Sequence, residues 1–171
     1  MSLTRRQRVR RVGILCCHYL RNCAYYYAGR NGKTLKRKDQ FSITINSNFM
    51  DLCTLEFCKL FSETRGRHHW RKVITDQNGF LDGLLKAVGM SEAEFNDYVA
   101  SMKFYRDKYV AHLDEELGGR YPHLGPGKKA VSYLFDYLLK YEDEGDFFPD
   151  ASGTAGMFYG DREDEGKAAY R

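Results

Sequence analysis

The sequence has little of what builds sheets or crosses membranes. It has only 3 prolines in 171 residues, and only residues 41–46, FSITIN, alternate as a strand would. No apolar run approaches the roughly 20 residues that span a bilayer. The length suffices for one domain with a hydrophobic core. We therefore predict an all-α protein, an antiparallel helical bundle of about four main helices plus short helices, with no membrane contact.

The cysteines are too few and too irregular for a disulfide framework. There are 5, an odd number, and Cys16 and Cys17 are adjacent. Reduced cysteines of this kind are typical of a cytosolic protein. The opening stretch RRQRVRRVGILCCHYL is basic and then apolar, as in a secretion signal, but no small-residue cleavage site follows it. We therefore expect a cytoplasmic protein.

Metal ligands are also sparse. Cys53 and Cys58 with His68 and His69 come nearest to the spacing of a zinc site. The simpler alternative is that these cysteines are small core residues. The paired Glu-x-x-His motifs of metal-dependent helical bundles are missing from the sequence. We expect no metal and no cofactor.

Helical periodicity and capping signals divide the chain. Glycines end the first and third helices, and Ser91 with Glu94 forms a capping box that opens the third. The predicted helices are Thr4 to Ala28, Ser47 to Glu63, a short piece from Gly79 to Val88, Ser91 to the glycines at 118 and 119, and residues 128–144. The stretch GKTLKRKDQF at residues 32–41 is predicted to be a polar loop.

The predicted domain ends near residue 144. Residues 1–144 hold the periodic segments and form the bundle domain. Residues 145–171 are acidic and rich in glycine and show no helical period, so we expect an irregular tail, pinned by Phe147, Phe148 or Phe158.

Charge is unevenly distributed. Residues 1–40 contain eleven lysines and arginines and one acid, and residues 142–165 contain nine acids and one arginine. A basic head and an acidic tail favour a polyanionic partner, or masking of one end by the other. Two solvated ends without a role would have the same composition.

An arginine in the third helix breaks the apolar pattern. At about 100° per residue, Phe95, Val99, Met102, Tyr109 and Leu113 fall in one stripe, with Arg106 near its centre. A buried cation without a partner is very costly, so this side chain must reach water, an acid or an interface. A structural role remains open, in which Arg106 pairs with Asp51 or Glu56 and His112 is an ordinary histidine at the edge of the stripe.

The stretch YRDKYVAHLD around this arginine resembles the signature of the HEPN superfamily. That signature is an arginine, a polar residue beside it, and a histidine after four to six further residues. Arg106, Asp107 and His112 match it, and RDKYVAHLD resembles the abortive-infection branch in particular. The likeness is specific over about ten residues. Asp107 departs from the asparagine common at that place.

The resemblance implies a helical bundle that dimerises so that two copies of the motif face each other. Many HEPN domains are metal-independent endoribonucleases, and others are inactive binding partners. Histidine titrates nearest neutrality and suits acid–base work on RNA, while a planar guanidinium matches a phosphate. The implied catalytic residues are Arg106, Asp107 and His112.

Two functions of different class follow. The leading hypothesis is a homodimeric, HEPN-like metal-independent endoribonuclease or RNA-binding protein, in phage defence or a toxin–antitoxin pair. The alternative is a non-catalytic module for helical dimerisation or binding of a partner protein. Basic residues that would guide RNA, unless they are solvated surface, are Arg5, Arg6, Arg8, Arg10, Arg11, Arg67, Arg71 and Lys72.

Overall fold

The computed structural model describes residues 3–110, 121–149, 151 and 153–171. Helices dominate them, and the all-α prediction is confirmed. The elements are α1 (Arg5–Ala28), β1 (Arg30–Asn31), β2 (Thr34–Leu35), α2 (Gln40–Phe57), α3 (Gln77–Val88), α4 (Glu92–Tyr105), α5 (Leu124–Tyr137) and α6 (Ala155–Ala169). Helices α2, α4 and α5 continue as π-helical segments, Cys58–Ser62, Arg106–Val110 and Leu138–Glu142.

Helix α1 lies at the centre of the bundle, against α2, α5 and α6. It begins as predicted, because Thr4 and Gln7 form a capping box at its first turn. Asn46 of α2 donates to the carbonyl of Tyr26, and Tyr19 packs on Phe57. Late α1 residues thus meet early α2 residues, so this pair is antiparallel.

The core between α2 and α4 is aromatic. Phe57 contacts Phe61 and Tyr98, and Phe61 contacts Phe95, with ring centroids 4.9 to 5.8 Å apart. Later residues of α2 and its extension contact earlier residues of α4, so this pair of helices is antiparallel too. These edge-to-face and stacked pairs fix the position of α4 along α2, and therefore the position of Arg106.

Helix α2 begins seven residues before the predicted start. Asp39 caps it, its carboxylate accepting from the backbone amide and hydroxyl of Ser42. The FSITIN stretch is therefore helical, with Ser42 and Asn46 on the buried side. The predicted polar loop is partly wrong as well, since β1 and β2 form a hairpin around Gly32, whose φ is 59°.

The prediction of an irregular C-terminal tail is wrong for residues 155–169, which form α6. Thr154 caps this helix. Gly166 packs on Ala28 and Tyr25 near the end of α1, while Phe148 fits against Gly13 nearer its start. Helix α6 therefore runs parallel to α1. Despite its acidic composition, this helix makes apolar contacts with the bundle through the buried side chains of Ala155 and Tyr159.

The last predicted helix boundaries lie close to the observed ones. Helix α3 starts two residues early, at Gln77, and α5 starts at Leu124, where His123 caps it. The predicted end of the third helix at Gly118 lies outside the described residues. No helix among the described residues is long and apolar enough to cross a bilayer.

Candidate functional site

The candidate site lies where α4 gives way to its π-helical extension. Ser91 and Glu94 form the predicted capping box at the other end of α4. Phe95 and Met102 are buried as the stripe required, and Arg106 begins the π-helical segment. Single π turns often occur at functional sites. Helices α2 and α5 end in the same way, so this geometry is not particular to the motif.

Arg106 is mostly buried and is held by two carboxylates of its own chain. Its side chain is 15% exposed. Its Nη1 donates to Oε1 of Glu63 at 2.6 Å, and its Nε donates to Oδ1 of Asp107 at 2.8 Å. The two carboxylates are 44% and 46% exposed, so the guanidinium is inside and its partners are at the rim.

The charges around Arg106 keep it ionised. Burial disfavours the guanidinium, but the hydrogen bond to Asp107 and the neighbouring Cys58 and Glu63 outweigh it and raise the pKa of Arg106. Burial also raises the pKa of the Cys58 thiol to about 11, although Arg106 opposes this shift. Cys58 is therefore a neutral thiol at pH 7 and not an activated nucleophile.

The partners expected for a structural Arg106 are engaged elsewhere. Asp51 accepts a hydrogen bond from the Tyr105 hydroxyl at 3.0 Å. Glu56 pairs with Lys59 at 3.2 Å and lies 4.0 Å from His18. The expectation that Arg106 would pair with an acid is thus met by Glu63 and Asp107, and not by the two core carboxylates named from the sequence.

Two residues of the predicted motif can be placed, and one cannot. Arg106 and Asp107 are neighbours in a direct ion pair. His112 lies outside the described residues. Glu63 is the partner that sequence reasoning missed. It is separated from Arg106 by 43 positions, and no spacing rule connects the end of one helix to the end of another.

The basic head is partly neutralised by the segment before α6. Arg5 pairs with Glu142 at 2.5 Å and with Glu144 at 3.4 Å. Arg6 donates to the backbone carbonyl of Asp146 and lies over the ring of Phe147. Arg5 and Arg6 therefore hold the chain segment that leads to α6.

The remaining head arginines differ in exposure. Arg8 is half-buried and donates to the carbonyl of Leu3 at 3.5 Å, and Arg10 is also half-buried. Arg11 is exposed. Burial, helped by the charges of Arg11, Lys59 and Arg67, lowers the pKa of His68. Arg11 of the basic head therefore acts on His68 of the RGRHHWRK loop, where Glu56 opposes it.

The other half of that loop is anchored by a buried histidine. His69 Nε2 lies 3.2 Å from the carbonyl oxygen of Phe61, and its Nδ1 accepts from the Arg71 amide at 3.3 Å. These partners assign the proton to Nε2. The ring of Trp70 lies beside it and carries the Arg71 guanidinium at 5.1 Å, while Lys72 is exposed.

The zinc alternative finds no support in the described part of the chain. No group of three or more candidate ligands there could hold a metal ion. His69 is used in the hydrogen bonds above, and the Cys53 thiol donates to the carbonyl of Tyr19 at 3.6 Å. The described cysteines are free thiols, four of them buried.

Comparisons of the chain with protein-family models, with curated proteins and with solved structures find no match. The HEPN resemblance therefore depends on the motif and stays a prediction.

Proposed function

We propose that this protein is a HEPN-like, metal-independent endoribonuclease of the cytoplasm, in which Arg106 binds the scissile phosphate. The observation that supports this proposal is a difference in exposure between Arg106 and the two carboxylates that are paired with it. The cation is fixed inside the stripe, whereas Glu63 and Asp107 are nearly half exposed. A phosphodiester could replace one carboxylate without leaving the guanidinium unpaired.

Glu63 is the partner that should yield. It lies on a different segment from Arg106, and a carboxylate at the surface recovers most of its hydration when it swings away. Asp107 is adjacent in sequence and binds Nε, so it can keep the guanidinium oriented while Nη1 turns to the phosphate. RNA would thus exchange one anion for another at a preformed cation.

The chemistry assigned to the motif is transfer within the RNA strand. The 2′-hydroxyl oxygen attacks phosphorus, the bond to the 5′-oxygen breaks, and a proton moves from the nucleophile to the leaving group through acid–base groups. His112 would serve as one of these groups. Arg106 would offset the extra negative charge on the phosphorane with a planar donor pair.

We propose a homodimer with α4 beside the two-fold axis. Closed two-fold dimers are the commonest oligomers, and the family that the motif resembles pairs its motifs across such an axis. A role in phage defence or in a toxin–antitoxin pair belongs to the same proposal.

The test is cleavage of mixed single-stranded RNA in EDTA by wild type, Arg106→Ala, Arg106→Lys and His112→Ala. Wild type should cut, and His112→Ala should lose about 10²–10⁴-fold in rate. Arg106→Lys should recover only part of the activity of wild type, because a point charge lacks the planar fork. Cleavage that stops in EDTA, or that survives both alanine substitutions, would refute the proposal.

A second candidate function is the non-catalytic interaction module. The observation that favours it is that Arg106 is already paired with two acids in its own chain. In that case no variant cuts RNA, and Glu63→Gln changes stability without changing affinity for RNA.

A further inference from the structure

A pocket of about 420 Å³ lies between the β-hairpin and the residues that lead into α5. Tyr26 and Arg30 line one side, Lys33 lies on the hairpin loop, and Tyr121 and His123 line the other side. None of the residues described as lining it is acidic. Three other grooves in the described part of the chain each include a carboxylate: Glu165 in one, Asp76 and Glu142 in another, and Asp82 in a third.

Among the residues that the structure describes, no acid is paired with the cations of this pocket. Arg30 donates to the side-chain carbonyl of Asn46 at 3.1 Å and to the backbone carbonyl of Lys33 at 2.5 Å, both uncharged acceptors. Its guanidinium lies 5.0 Å from the ring centroid of Tyr26. These contacts hold Arg30 in place and leave its charge to act on a ligand, in contrast to Arg5 and Arg106.

The pocket also presents an open aromatic face. Tyr121 is 75% exposed, although its ring lies 5.8 Å from that of Tyr105. The wall that carries it is anchored, because Tyr98 donates to the carbonyl of His123 at 2.9 Å and Tyr19 donates to that of Leu124 at 3.2 Å. An exposed ring beside cations, one of them held in place, is the combination that binds single-stranded nucleic acid, by stacking and by phosphate contact.

The pocket adjoins the candidate site. Tyr105 immediately precedes Arg106, and its ring contacts Tyr121 on one side and Tyr109, at 5.4 Å, on the other. Tyr105 itself is buried, at 7% exposure, so it supports the exposed Tyr121 ring from the inside. The pocket therefore lies one ring contact away from the residue that precedes Arg106, and a strand whose phosphate reaches Arg106 has the pocket close by for a flanking nucleotide.

We infer that this pocket binds a flanking nucleotide of a single-stranded RNA, with its base on Tyr121 and its phosphate at Arg30 and Lys33. The inference rests on the proposed function, whose substrate it specifies as an unpaired strand. Because every base has a stackable face, the pocket should tolerate all four bases.

The test is the affinity of the full chain for a fluorescein-labelled 2′-O-methyl RNA ten nucleotides long, measured by anisotropy in EDTA. The 2′-O-methyl group removes the nucleophile, so the probe stays intact. Tyr121→Leu should weaken binding by about fivefold or more, the range that loss of one stacked base gives. Lys33→Gln should make the dependence of log affinity on log salt shallower, reducing the magnitude of its negative slope by about 0.7.

Matched controls lie outside the pocket. Tyr141→Leu removes another exposed tyrosine, and Lys86→Gln removes an exposed lysine on α3. Both should leave affinity within twofold of wild type. Thermal melts of all four variants should coincide, because each changed side chain is exposed.

The outcomes separate this inference from the proposed function. If wild type cuts RNA through Arg106 but Tyr121→Leu binds as tightly as Tyr141→Leu, the pocket assignment alone is wrong. If Tyr121→Leu weakens binding while Arg106→Ala still cuts, the pocket stands and the catalytic proposal is wrong. Absence of RNA binding by wild type overturns both. An acidic peptide that binds as tightly as the RNA and depends equally on Tyr121 overturns the assignment to RNA.

Discussion

Arg106 and Arg5 are both ion-paired, but their partners differ in burial. This difference should decide how much each arginine contributes to the free energy of unfolding. The carboxylates on Arg106 are 44% and 46% exposed, whereas the Glu142 side chain on Arg5 is 2% exposed. Glu142 also accepts from the amide and the hydroxyl of Thr75. A carboxylate left unpaired at the rim returns to water, but one left in the interior does not.

We predict that Arg106→Gln changes the free energy of unfolding by no more than about 1 kcal/mol. Arg5→Gln should cost more, about 1–3 kcal/mol, since it leaves a buried carboxylate with only neutral donors. Urea unfolding of the two variants measures both values. The reverse order would mean that Arg106 is a structural cation and would favour the non-catalytic module.

His69 should make stability depend on pH. Burial lowers its pKa below the ordinary value of 6.5, so the unfolded chain binds the proton more readily than the folded one. The stabilisation is complete above about pH 6.5 and is lost as the pH falls through the folded pKa. Unfolding free energies of wild type and His69→Gln at pH 7.5 and 5.0 should show a smaller loss in the variant. Equal losses would contradict the neutral, buried assignment.

At the residue scale, the sequence locates the cation but not its environment. The helical period places Arg106 in an apolar stripe, and the cost of an unpaired charge demands a partner. The identity of that partner depends on how the chain turns after α2. A π-helical segment ends this helix, and the hydrophobic periodicity of the sequence does not reveal it. Glu63 therefore could not be inferred, and the acids that could be named belong to other contacts.

Helix α6 is the element whose packing is most easily tested, because two of its three glycines lie in contrasting surroundings. A Cβ on Gly166 would lie 2.8 Å from the Cβ of Ala28 and 3.0 Å from the ring of Tyr25, whereas one on Gly160 would meet nothing within 4 Å. Alanine favours a helix over glycine by about 0.8–1.0 kcal/mol at an open position.

We predict that Gly160→Ala stabilises the protein by about 0.5–1 kcal/mol and that Gly166→Ala destabilises it, because close packing on α1 outweighs helix propensity there. Chemical unfolding of the pair provides the comparison. If both substitutions stabilised to a similar extent, α6 would not pack on α1 at Gly166.

The elements predicted correctly are those with local signals. Capping boxes mark the starts of α1 and α4, and a glycine at φ 77° ends α3. The start of α2 was missed because its β-branched residues alternate like a strand, although Asp39 caps it. Helix α6 was missed because its sequence, rich in glycine and acids, shows no helical repeat of apolar residues. Its stability comes from tertiary contacts with α1, which no local pattern reports.

For the whole molecule, we predict a dimer that depends on the region of α4. Size exclusion with light scattering at micromolar concentration should give twice the chain mass of 19.9 kDa. Phe104 is the large apolar residue on α4 that is 53% exposed, and Phe104→Glu should shift the protein towards monomer if α4 lies at the interface. Met157→Glu, at an apolar site on α6 that is 63% exposed, serves as the control. A monomeric wild type would contradict the assembly.

The charge distribution of the chain has a structural consequence as well as an electrostatic one. The acidic residues 142–146 hold Arg5 and Arg6, and α6 then packs along α1. Removing residues 145–171 would expose the apolar side of α1 together with any basic surface. Masking of the basic head is therefore better tested by Glu144→Gln, which loosens one ion pair and leaves α6 in place. It should tighten RNA binding if masking operates.

A double-mutant cycle of RNA binding tests whether an RNA phosphate replaces Glu63 on Arg106. The affinity of the uncleavable 2′-O-methyl RNA would be measured for wild type, Glu63→Gln, Arg106→Gln and the double variant. Asp97→Asn, at an exposed acid of α4, corrects for the change in net charge. We predict that Glu63→Gln tightens binding about two- to fivefold in wild type, the size of one surface ion pair, and not at all in the Arg106→Gln background. Equal effects in the two backgrounds, or no effect in either, would show that the phosphate does not replace Glu63 on Arg106.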